Sequence, residues 1–589
     1  MDKPWMQYYD DGIESKISSF DGTLYDQLST VAKAHPSGVA FTYYTYSLTY
    51  SEFITAIDRT ADNLRAYGFK KGDVLLTALP NCPQFLYLLY GANKLGVIVC
   101  ALDYRVVPAF IRMTMEDFTV KGIAIMDTIQ SRTDDILRDL PTDFAVICNT
   151  TDYLDFISVL NLRMAKRFPR SSGNSVLPVM TGKTIVNWSD FVRKSPEDRV
   201  PLELEHPTRD DDALYMSLGS ATGEFMIEAY KNSAFTSAVG PVMLGYDIKD
   251  PFESGFSKTH KKAMTPIPNS YSVTMAIALH SMLCCGIEVI LVPYYYPKSI
   301  AYLLYTCQPN ILIGHPTMFS DFVDFVRNSG RYNRKSLVFL EKVISMTSAM
   351  TLIQKTKLNR FLYEHNSEAE VQEGYGLSEC LGISTLNPSG RSRTGSVGIP
   401  LPGILMKIVD RDSQMELMPG QQGEICINSR SVISKVVIDD KMTEKVLRKH
   451  RDGRYWVHTG DIGHMDDDGF FYFDYSLKRC AKVEGMSVSL KTVEDAIKKI
   501  DGVEDVCVVN YVEPDGVNRL IAVVVPYERY LFDNDELISL KNRLDVECSM
   551  MLLREMRPSE IEYRASLPKT DSGIDFNKVL EEIIENRKA

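Results

Sequence analysis

The sequence predicts an α/β protein in two parts: a large N-terminal body with mostly parallel sheets flanked by helices, and a small α+β C-terminal lid domain. The length of 589 residues exceeds what one hydrophobic core usually organises. In the first part, apolar helical patterns alternate with short β-rich runs, an order typical of parallel strands joined by helices. After about residue 475 the pattern changes to a compact series of helix, strand, strand and helix.

The alternation is clearest near the N-terminus. Residues 51–68 have helical periodicity, with Ser51 expected as the N-cap and Gly68 as the C-cap. A buried strand, a helix and a second strand follow, over residues 70–79, 83–96 and 97–103. This order predicts a sheet covered by helices on both faces.

We place a domain boundary near Ser476, which gives an N-terminal domain over residues 1–475 and a mobile C-terminal domain over residues 476–589. The second domain is expected to contain two helices and two strands, over residues 488–500, 503–512, 520–527 and 534–552. Residues 155–200 are basic, contain several serines and lack periodicity, so they are expected to form a surface insertion.

Composition excludes several classes of protein. Hydrophobic residues make up 45% of the chain and charged residues 24%, the balance of a soluble globular protein. The net charge of −12 argues against a general nucleic-acid surface. The N-terminal residues lack an apolar core, so we expect no secretory signal. The 11 cysteines show no spacing typical of a disulfide framework or a zinc site, which favours reduced thiols in the cytoplasm.

One apolar stretch has the length of a membrane span. From Ser272 to Pro293, only His280 and Glu288 interrupt it. The alternative is a buried helix, a turn at Gly286 and a short buried strand. The positions of Gly286 and Glu288 favour this second interpretation, so we expect no membrane span.

Eight motifs follow one another along the chain. The first runs from LTYSEF through YGFKKGDVLLTALPN to GANKLGVIVCALD, and the others are GHPTMF, QEGYGLSE, GSVGIPLPGILMKIVD, GQQGEICI, YWVHTGDIGHMDDDGFFYF, KVEG and LPKTDSG. In this order and spacing they resemble the adenylate-forming superfamily of acyl-CoA synthetases, peptide-synthetase adenylation domains and luciferases. The resemblance covers nearly the whole chain.

The resemblance implies an AMP-dependent ligase of the acyl-CoA synthetase type. Such an enzyme uses ATP to convert a carboxylate into an acyl-adenylate and pyrophosphate, and then transfers the acyl group to a thiol. The implied cofactors are ATP or AMP, Mg²⁺ and CoA, and the implied partners are a small-molecule carboxylate, a nucleotide, and CoA or a carrier-protein thiol. Because both reactants are anionic, the site must supply positive charge, metal and fixed donors.

The resemblance also implies roles for single residues. Tyr375 would lie against adenine, and Asp461 would accept hydrogen bonds from the ribose hydroxyls. Glu379 would hold Mg²⁺, and Ser378 would offer its hydroxyl to phosphate, so these two are the candidate catalytic residues. The other candidate nucleotide-binding positions are Ser217, Gly219, Ser220, Thr222, Gly223, Gly374 and Lys482. Taken singly, residues of these types are also common in turns and caps.

The phosphate loop departs from the family pattern. The family has SGTTG followed by PKG, in which glycines let backbone N–H groups approach phosphate and the lysine supplies charge. Here residues 217–227 read SLGSATGEFMI, and either Glu224 or Met226 takes the place of the lysine, depending on the alignment. A phosphate cradle and an ordinary turn after a strand are both compatible with this segment.

Two further departures lie nearer the C-terminus. Tyr475 and Ser476 replace the family's Gly-Arg at the domain hinge, with Lys478 and Arg479 close by. The family's catalytic loop PKTxSGK reads PKTDSGI, so Ile574 stands where the family has a lysine. The loss of one charge contact in the transition state typically costs about 10²–10³ in rate.

Two hypotheses follow. The chain is either a carboxylate ligase, or a catalytically degenerate relative that binds a nucleotide or acyl ligand and acts as a binding or regulatory module. The intact Tyr375, Glu379 and Asp461 favour nucleotide binding under both hypotheses, whereas the missing basic groups disfavour fast chemistry. The acyl substrate, the thiol acceptor and the oligomeric state are left open by the sequence.

Overall fold

A computed structural model describes most of the chain. The residues outside the description are 1–2, 18, 105–118, 128–141, 165–183, 194–204, 220–224, 250, 255–260, 348–349, 351, 383, 412, 438, 477–479, 485, 514, 528–529, 531–533, 571–572, 575 and 589. The chain divides into two compact units. The first comprises Met1–Ser217 and Ile227–Tyr475, and the second comprises Leu218–Met226 and Ser476–Ala589.

The first unit contains a nine-stranded sheet. With strands numbered in chain order, its spatial order is β16 (Ile399–Pro400), β15 (Thr385–Leu386), β14 (Val371–Tyr375), β13 (Lys342–Ser345), β12 (Ile311–Gly314), β10 (Lys262–Thr265), β11 (Glu288–Leu291), β1 (Val39–Tyr43) and β2 (Tyr46–Thr49). The run from β14 to β1 is parallel, and β15, β16 and β2 are antiparallel additions at the edges.

The first unit also contains most of an eight-stranded sheet. Its spatial order is β19 (Lys435–Val436), β9 (Phe225–Lys231), β8 (Asp212–Gly219), β4 (Ile98–Ala101), β3 (Val74–Ala78), β5 (Gly122–Met126), β6 (Phe144–Cys148) and β7 (Thr184–Asn187). The strands from β8 to β7 are parallel. Strands β3 to β6 are buried along their whole length, as their continuous apolar sequences require.

A smaller antiparallel sheet completes the first unit. It consists of β17 (Leu405–Val409), β18 (Gly423–Asn428), β21 (Tyr455–Met465) and β20 (Leu447–Lys449), with β22 (Phe471–Ser476) paired to β21. The α-helices of this unit are Leu24–Ala34, Tyr50–Ala66, Pro83–Lys94, Phe156–Met164, Trp188–Arg193, Asn232–Gly245, Pro251–Ser254, Met282–Cys284, Pro297–Cys307, Pro316–Arg327, Leu352–Glu364 and Asp440–Val446. The predicted α/β fold class is therefore confirmed.

The helix predicted over residues 51–68, with Ser51 as its N-cap, begins two residues earlier than expected. It spans Tyr50–Ala66, and its N-cap is Thr49 rather than Ser51. The Thr49 hydroxyl accepts from the backbone N–H of Glu52, and the Glu52 carboxylate accepts from the backbone N–H of Thr49. This reciprocal capping box outcompetes a simple serine cap because it satisfies two backbone donors at once. The C-cap is Tyr67 rather than Gly68, which comes next in the chain with φ +82°.

The apolar stretch predicted as a buried helix, a turn and a strand has that structure. A π-helical segment, Thr274–Ser281, and the short helix Met282–Cys284 lead to Gly286 at φ +71°. Strand β11 follows, and all four of its residues are buried. Among the described residues, no helix is both long and apolar enough to cross a membrane.

The segment expected as a surface insertion, residues 155–200, is partly built into the fold. Strand β7 extends the eight-stranded sheet beside β6. The helix Trp188–Arg193 follows it and buries Trp188 and Phe191. These two buried aromatic side chains attach the helix to the core, although the sequence around it lacks periodicity.

The second unit has its own elements. Its strands are β23 (Cys480–Val483), β24 (Met486–Ser489), β25 (Val503–Val512), β26 (Asn518–Pro526), β27 (Glu560–Tyr563), β28 (Lys569–Thr570) and β29 (Gly573–Ile574), and its α-helices are Leu490–Lys498, Asn534–Met551 and Phe576–Lys588. Its central sheet has the order β25, β26, β27. The core residues of this unit include Cys507, Val509, Ile521, Val523, Val525, Leu567, Val579 and Ile583. Mixed antiparallel and parallel pairing makes this unit α+β.

Gly398 provides a test of packing in the first unit. Its φ is +97°, and a Cβ there would lie 2.2 Å from the backbone carbonyl carbon of Leu386. We expect Gly398→Ala to lower the free energy of unfolding by about 2–5 kcal/mol, because backbone strain and overpacking add. All three tryptophans lie in the first unit, so tryptophan fluorescence during urea unfolding reports on this unit.

Gly395→Ala is the matched control. Gly395 has a similar φ of +78°, but a Cβ there would meet nothing within 4 Å. We expect this variant to lower the free energy of unfolding by only about 1–2 kcal/mol, the cost of a left-handed backbone at a residue other than glycine. Equal losses in the two variants would contradict the steric argument.

Candidate functional site

Tyr375 and Asp461 lie together in the first unit. Tyr375 is the last residue of β14, at the carboxyl end of a parallel strand, and Asp461 lies within β21. The Tyr375 phenol donates to Asp461 Oδ2 at 2.7 Å. Burial of the phenol, and then the negative charge of Asp461, raise the pKa of Tyr375 well above its usual value. The phenol therefore remains a donor to a charged acceptor.

Local hydrogen bonds fix both residues. The Tyr375 backbone N–H donates to Thr385 Oγ1 at 3.1 Å, across the pair of β14 with β15. The Asp461 backbone N–H donates to Thr459 Oγ1 at 3.0 Å, and the Thr459 hydroxyl donates to the Ile425 carbonyl at 2.6 Å. The adjacent Gly374 lies in β14 and pairs with Leu386. The threonine of the TGD motif thus orients the aspartate that follows it.

Ser378 and Glu379 form a second group close along the chain. They begin a single 3₁₀ turn, Ser378–Cys380, after β14. The Ser378 hydroxyl lies 3.1 Å from Glu379 Oε2 and 3.3 Å from Glu228 Oε1. The Tyr230 phenol lies 2.5 Å from Glu228 Oε2 and 2.8 Å from the Ser378 carbonyl. Two carboxylates and two hydroxyls therefore converge at one point.

Glu228 was not among the residues predicted from the sequence. It lies in β9 of the eight-stranded sheet, and its exposed fraction is 1%, the same as that of Glu379. Its neighbours Ile227 and Ala229 are also buried. An acid directly after the apolar run Phe225–Ile227 was the available signal, because charged side chains are rarely fully buried without a partner.

The converging carboxylates suit a hard divalent cation. Mg²⁺ takes oxygen ligands and is usually held by one or two carboxylates together with substrate phosphates. Glu379 and Glu228 supply carboxylate oxygens, and the Ser378 hydroxyl lies between them. The donor set therefore fits Mg²⁺, with Glu228 as a ligand candidate in addition to Glu379.

The predicted phosphate loop is only partly described. Ser217 and Gly219 lie at the end of β8, and Met226 lies at the start of β9. Ser220, Thr222, Gly223 and Glu224 lie outside the described residues. The proposed roles of this loop remain predictions.

The remaining predicted positions belong to the second unit. Lys482 lies in β23, where it pairs with Ser487. Ile574 lies in β29 opposite Lys569 of β28, and its partly buried side chain packs against the core of the second unit. Lys578 is exposed on the helix Phe576–Lys588. Lys478 and Arg479, the possible substitutes at the hinge, lie outside the described residues.

A family model for "AMP-binding enzyme" matches residues 28–216 and 240–435. The chain belongs to the AMP-binding enzyme family. This match covers most of the first unit, including Tyr375 and Glu379, and it confirms the resemblance to adenylate-forming enzymes. Asp461 lies beyond the matched residues.

Two curated relatives of this AMP-binding family member match nearly its whole length, and a third matches part of it. It is 24% identical to the long-chain-fatty-acid–CoA ligase of Bacillus subtilis (strain 168), with 99% of each chain covered. It is 23% identical to the luciferin 4-monooxygenase of Photinus pyralis, with 96% of each chain covered. Over 202 residues, or 34% of each chain, it is 32% identical to the long-chain-fatty-acid–CoA ligase of Salmonella typhimurium.

Solved structures show the same fold. The amide bond synthetase McbA of Marinactinospora thermotolerans has a TM-score of 0.73 at 18% identity, covering 95% of this chain and 99% of that chain. A double mutant of the o-succinylbenzoate CoA synthetase of Bacillus subtilis has a TM-score of 0.71 at 16% identity, covering 96% and 99%.

The family match supports an acyl-adenylate-forming function for this AMP-binding family member, and it does not favour the alternative of a degenerate binding module. Acyl-CoA ligases of this family use ATP or AMP, Mg²⁺ and CoA, so the predicted cofactor set is confirmed at the level of the family.

Tyr375→Phe tests the bond that joins the two sheets. The variant leaves the carboxylate of Asp461, which is 5% exposed, without its phenol donor. We expect the free energy of unfolding to fall by about 1–3 kcal/mol, the usual cost of removing one partner of a buried charged hydrogen bond. Tryptophan fluorescence in urea measures the change. Tyr363→Phe, at a side chain that is 82% exposed, is the control and should change little. Equal stability of the two variants would contradict the importance of this bond.

Proposed function

We propose that this protein is an AMP-forming carboxylate ligase of the acyl-CoA synthetase type. It would activate a small-molecule carboxylate with ATP and transfer the acyl group to a thiol, with CoA as the acceptor and a carrier-protein thiol as the alternative. The observation that carries the proposal is the direct contact between Tyr375 and Asp461, in the same unit as the carboxylate pair of Glu379 and Glu228.

The nucleotide would be held by the first of these groups. The partly exposed Tyr375 ring offers a face for adenine, and Asp461 offers carboxylate oxygens to the ribose hydroxyls. Gly374 would allow close approach along β14. The phosphate-loop positions and Lys482 would complete the contacts, with Ser217, Gly219, Ser220, Thr222 and Gly223 around the phosphates.

The carboxylate pair would hold Mg²⁺ together with the phosphates. When bound there, Mg²⁺ supplies positive charge to phosphate oxygens as the substrate carboxylate attacks the α-phosphorus. The bond from the α-phosphorus to pyrophosphate breaks, and pyrophosphate leaves. In the second step the thiol sulfur attacks the acyl carbonyl carbon, the bond to AMP breaks, and the thiol proton is released. Ser378 would donate its hydroxyl to a phosphate oxygen.

The two domains would divide this work. Residues 1–475 would form the AMP-binding domain, and residues 476–589 would form a mobile C-terminal domain that carries the loop with Ile574. The ten cysteines that the structure describes are buried thiols outside any disulfide, which fits a protein of the reducing cytoplasm. We therefore propose a cytoplasmic enzyme that acts on small molecules.

Asp461→Ala tests the nucleotide site. Removal of the carboxylate should weaken binding of ATP·Mg²⁺ or AMP by about 1–3 kcal/mol, because the ribose hydroxyls lose a charged acceptor. Isothermal titration calorimetry measures the change. Asp467→Ala is the matched control, since Asp467 is exposed in the turn after the same strand. Unchanged affinity in Asp461→Ala, or no binding by the wild type at millimolar nucleotide, would overturn the proposed site.

Ile574→Lys tests the missing charge. Without the lysine of the catalytic loop, the wild type should form acyl-adenylate at least about 10²-fold more slowly than a typical ligase. Ile574→Lys, combined with Glu224→Lys or Met226→Lys, should raise pyrophosphate release by at least about tenfold, because each lysine neutralises developing charge. Pyrophosphate release against a panel of carboxylic acids measures the rate.

Ile574→Met separates charge from packing. Methionine keeps an apolar contact with the core of the second unit but brings no charge, so it should not raise the rate. A lysine can extend its aliphatic stem along the core and place its ammonium group in water, so Ile574→Lys should still fold. Wild-type turnover of about 1 s⁻¹ or faster would show that another group supplies the charge. No pyrophosphate from any variant would favour the binding-module alternative.

A further inference from the structure

A group of metal-ligating side chains lies on the antiparallel sheet of the first unit. Within the described part of the chain, Cys426, His450 and His458 have ligand atoms that all lie within 4.8 Å of one another. We propose that these three residues form a binding site for a borderline-soft divalent cation, for which Zn²⁺ is the best fit. The site is separate from the proposed carboxylate pair and does not depend on catalysis.

The strand register creates this cluster. In the antiparallel pair of β18 and β21, Cys426 lies directly opposite His458. Residues that are directly opposite in such a pair project to the same face. His450 follows β20 at the start of the turn into β21, and its backbone N–H closes that turn on the Arg454 carbonyl. Three separate chain segments therefore contribute one ligand each.

The distances are close to those of a metal site. His450 Nε2 lies 2.8 Å from His458 Nε2, and the ligand atom that Cys426 offers lies within 4.8 Å of those of both histidines. In a tetrahedral zinc site, bond lengths of about 2.0–2.1 Å to nitrogen and 2.3 Å to sulfur hold the ligand atoms about 3.3–3.6 Å apart. Small side-chain movements would bring the three ligand atoms to those separations, with a water in the fourth position.

Glu424 supplies the support that metal-binding histidines usually have. Its Oε2 lies 2.9 Å from His458 Nδ1 and can accept a hydrogen bond from it. This contact leaves the His458 Nε2 lone pair directed at His450. A carboxylate behind a histidine is the common arrangement around zinc, where it fixes the ring orientation and raises the basicity of the ligand.

The groups around the cluster have opposing effects on the binding of a cation. Burial raises the pKa of Cys426, so the free thiol is protonated and would release its proton when a cation binds. Burial, and then the positive charge of Lys407, lower the pKa of His450 to about 4, which leaves its imidazole neutral and able to coordinate. The Lys407 ammonium lies 3.9 Å from the centre of the Trp456 ring and 3.9 Å from Asp452, which partly offset its charge.

A bound ion would connect this cluster to the strand that carries Asp461. Glu424 Oε1 accepts from the Gly460 backbone N–H at 2.9 Å, and Asp461 is the next residue. Coordination would tie β18, the turn after β20, and β21 together. The expected role is therefore structural: the cation stabilises the sheet on which the proposed ribose contact is built.

Cobalt titration of tag-free, EDTA-treated full-length protein tests the site. Co²⁺ should produce visible d–d bands of a tetrahedral site and a thiolate-to-metal charge-transfer band, and Zn²⁺ should displace it. Cys426→Ser should abolish the charge-transfer band, and His450→Gln should weaken Co²⁺ binding by at least about tenfold, since each removes a ligand. Zn²⁺ should also raise the melting temperature of the wild type, because the ligand binds only the folded state.

Two controls match the tested residues. Cys100→Ser removes another buried thiol of the first unit, and His464→Gln removes another histidine of β21. Both should retain the cobalt spectrum and the stabilisation by Zn²⁺. His450 is only partly buried, so His450→Gln should fold even if Cys426→Ser does not. The proposal is overturned if the wild type gives no charge-transfer band, if His450→Gln binds Co²⁺ as tightly as the wild type, or if the controls lose binding equally.

Discussion

The hydrogen bond from the Tyr375 phenol to the Asp461 carboxylate joins two sheets, although the residues lie 86 positions apart in the chain. Tyr375 ends a strand of the nine-stranded sheet, and Asp461 lies in the small antiparallel sheet. A buried carboxylate is costly unless it is paired, so this contact favours one arrangement of the two sheets over looser ones. Thr385 and Thr459 fix the two backbones on either side of it. The proposed nucleotide site therefore depends on the packing of the whole first unit.

The second constraint is buried negative charge. Glu228 lies in β9 and Glu379 in the 3₁₀ turn after β14. They meet at the Ser378 hydroxyl, and each is only 1% exposed. Two carboxylates in so small a space repel each other unless a cation or a proton offsets them. In the proposed site, where the family's usual lysines are replaced at two positions, a bound metal ion would have more of the negative charge to neutralise. Such a site would suit nucleotide binding with Mg²⁺ better than rapid pyrophosphate release.

Ile574 stands where the resemblance places a catalytic lysine. Its partly buried side chain packs against the core cluster of the second unit, which includes Leu567 and Val579. Burying this apolar surface stabilises the unit by the hydrophobic effect, whereas a lysine would have to extend to water. If the proposed role of this position holds, the replacement exchanges charge in the transition state for local packing. It follows that stability and rate need to be measured on the same variants.

The sequence by itself determined the α/β class and the order of elements, and it predicted roles for Tyr375, Glu379 and Asp461, because periodicity and family motifs are local in the chain. It also indicated that the apolar stretch ending near Pro293 is a helix, a turn and a strand. It could not show Glu228 beside Glu379, because that contact depends on the packing of two sheets.

The cluster of Cys426, His450 and His458 is a second feature that could not be predicted from the sequence. These residues have none of the short spacings by which zinc sites are found in sequences, and the cysteine count indicated only scattered thiols. The antiparallel register of β18 and β21 places Cys426 opposite His458, and the turn after β20 returns His450 to them. Only the tertiary structure decides such a site, because hydrogen-bonded register sets which distant side chains share a face.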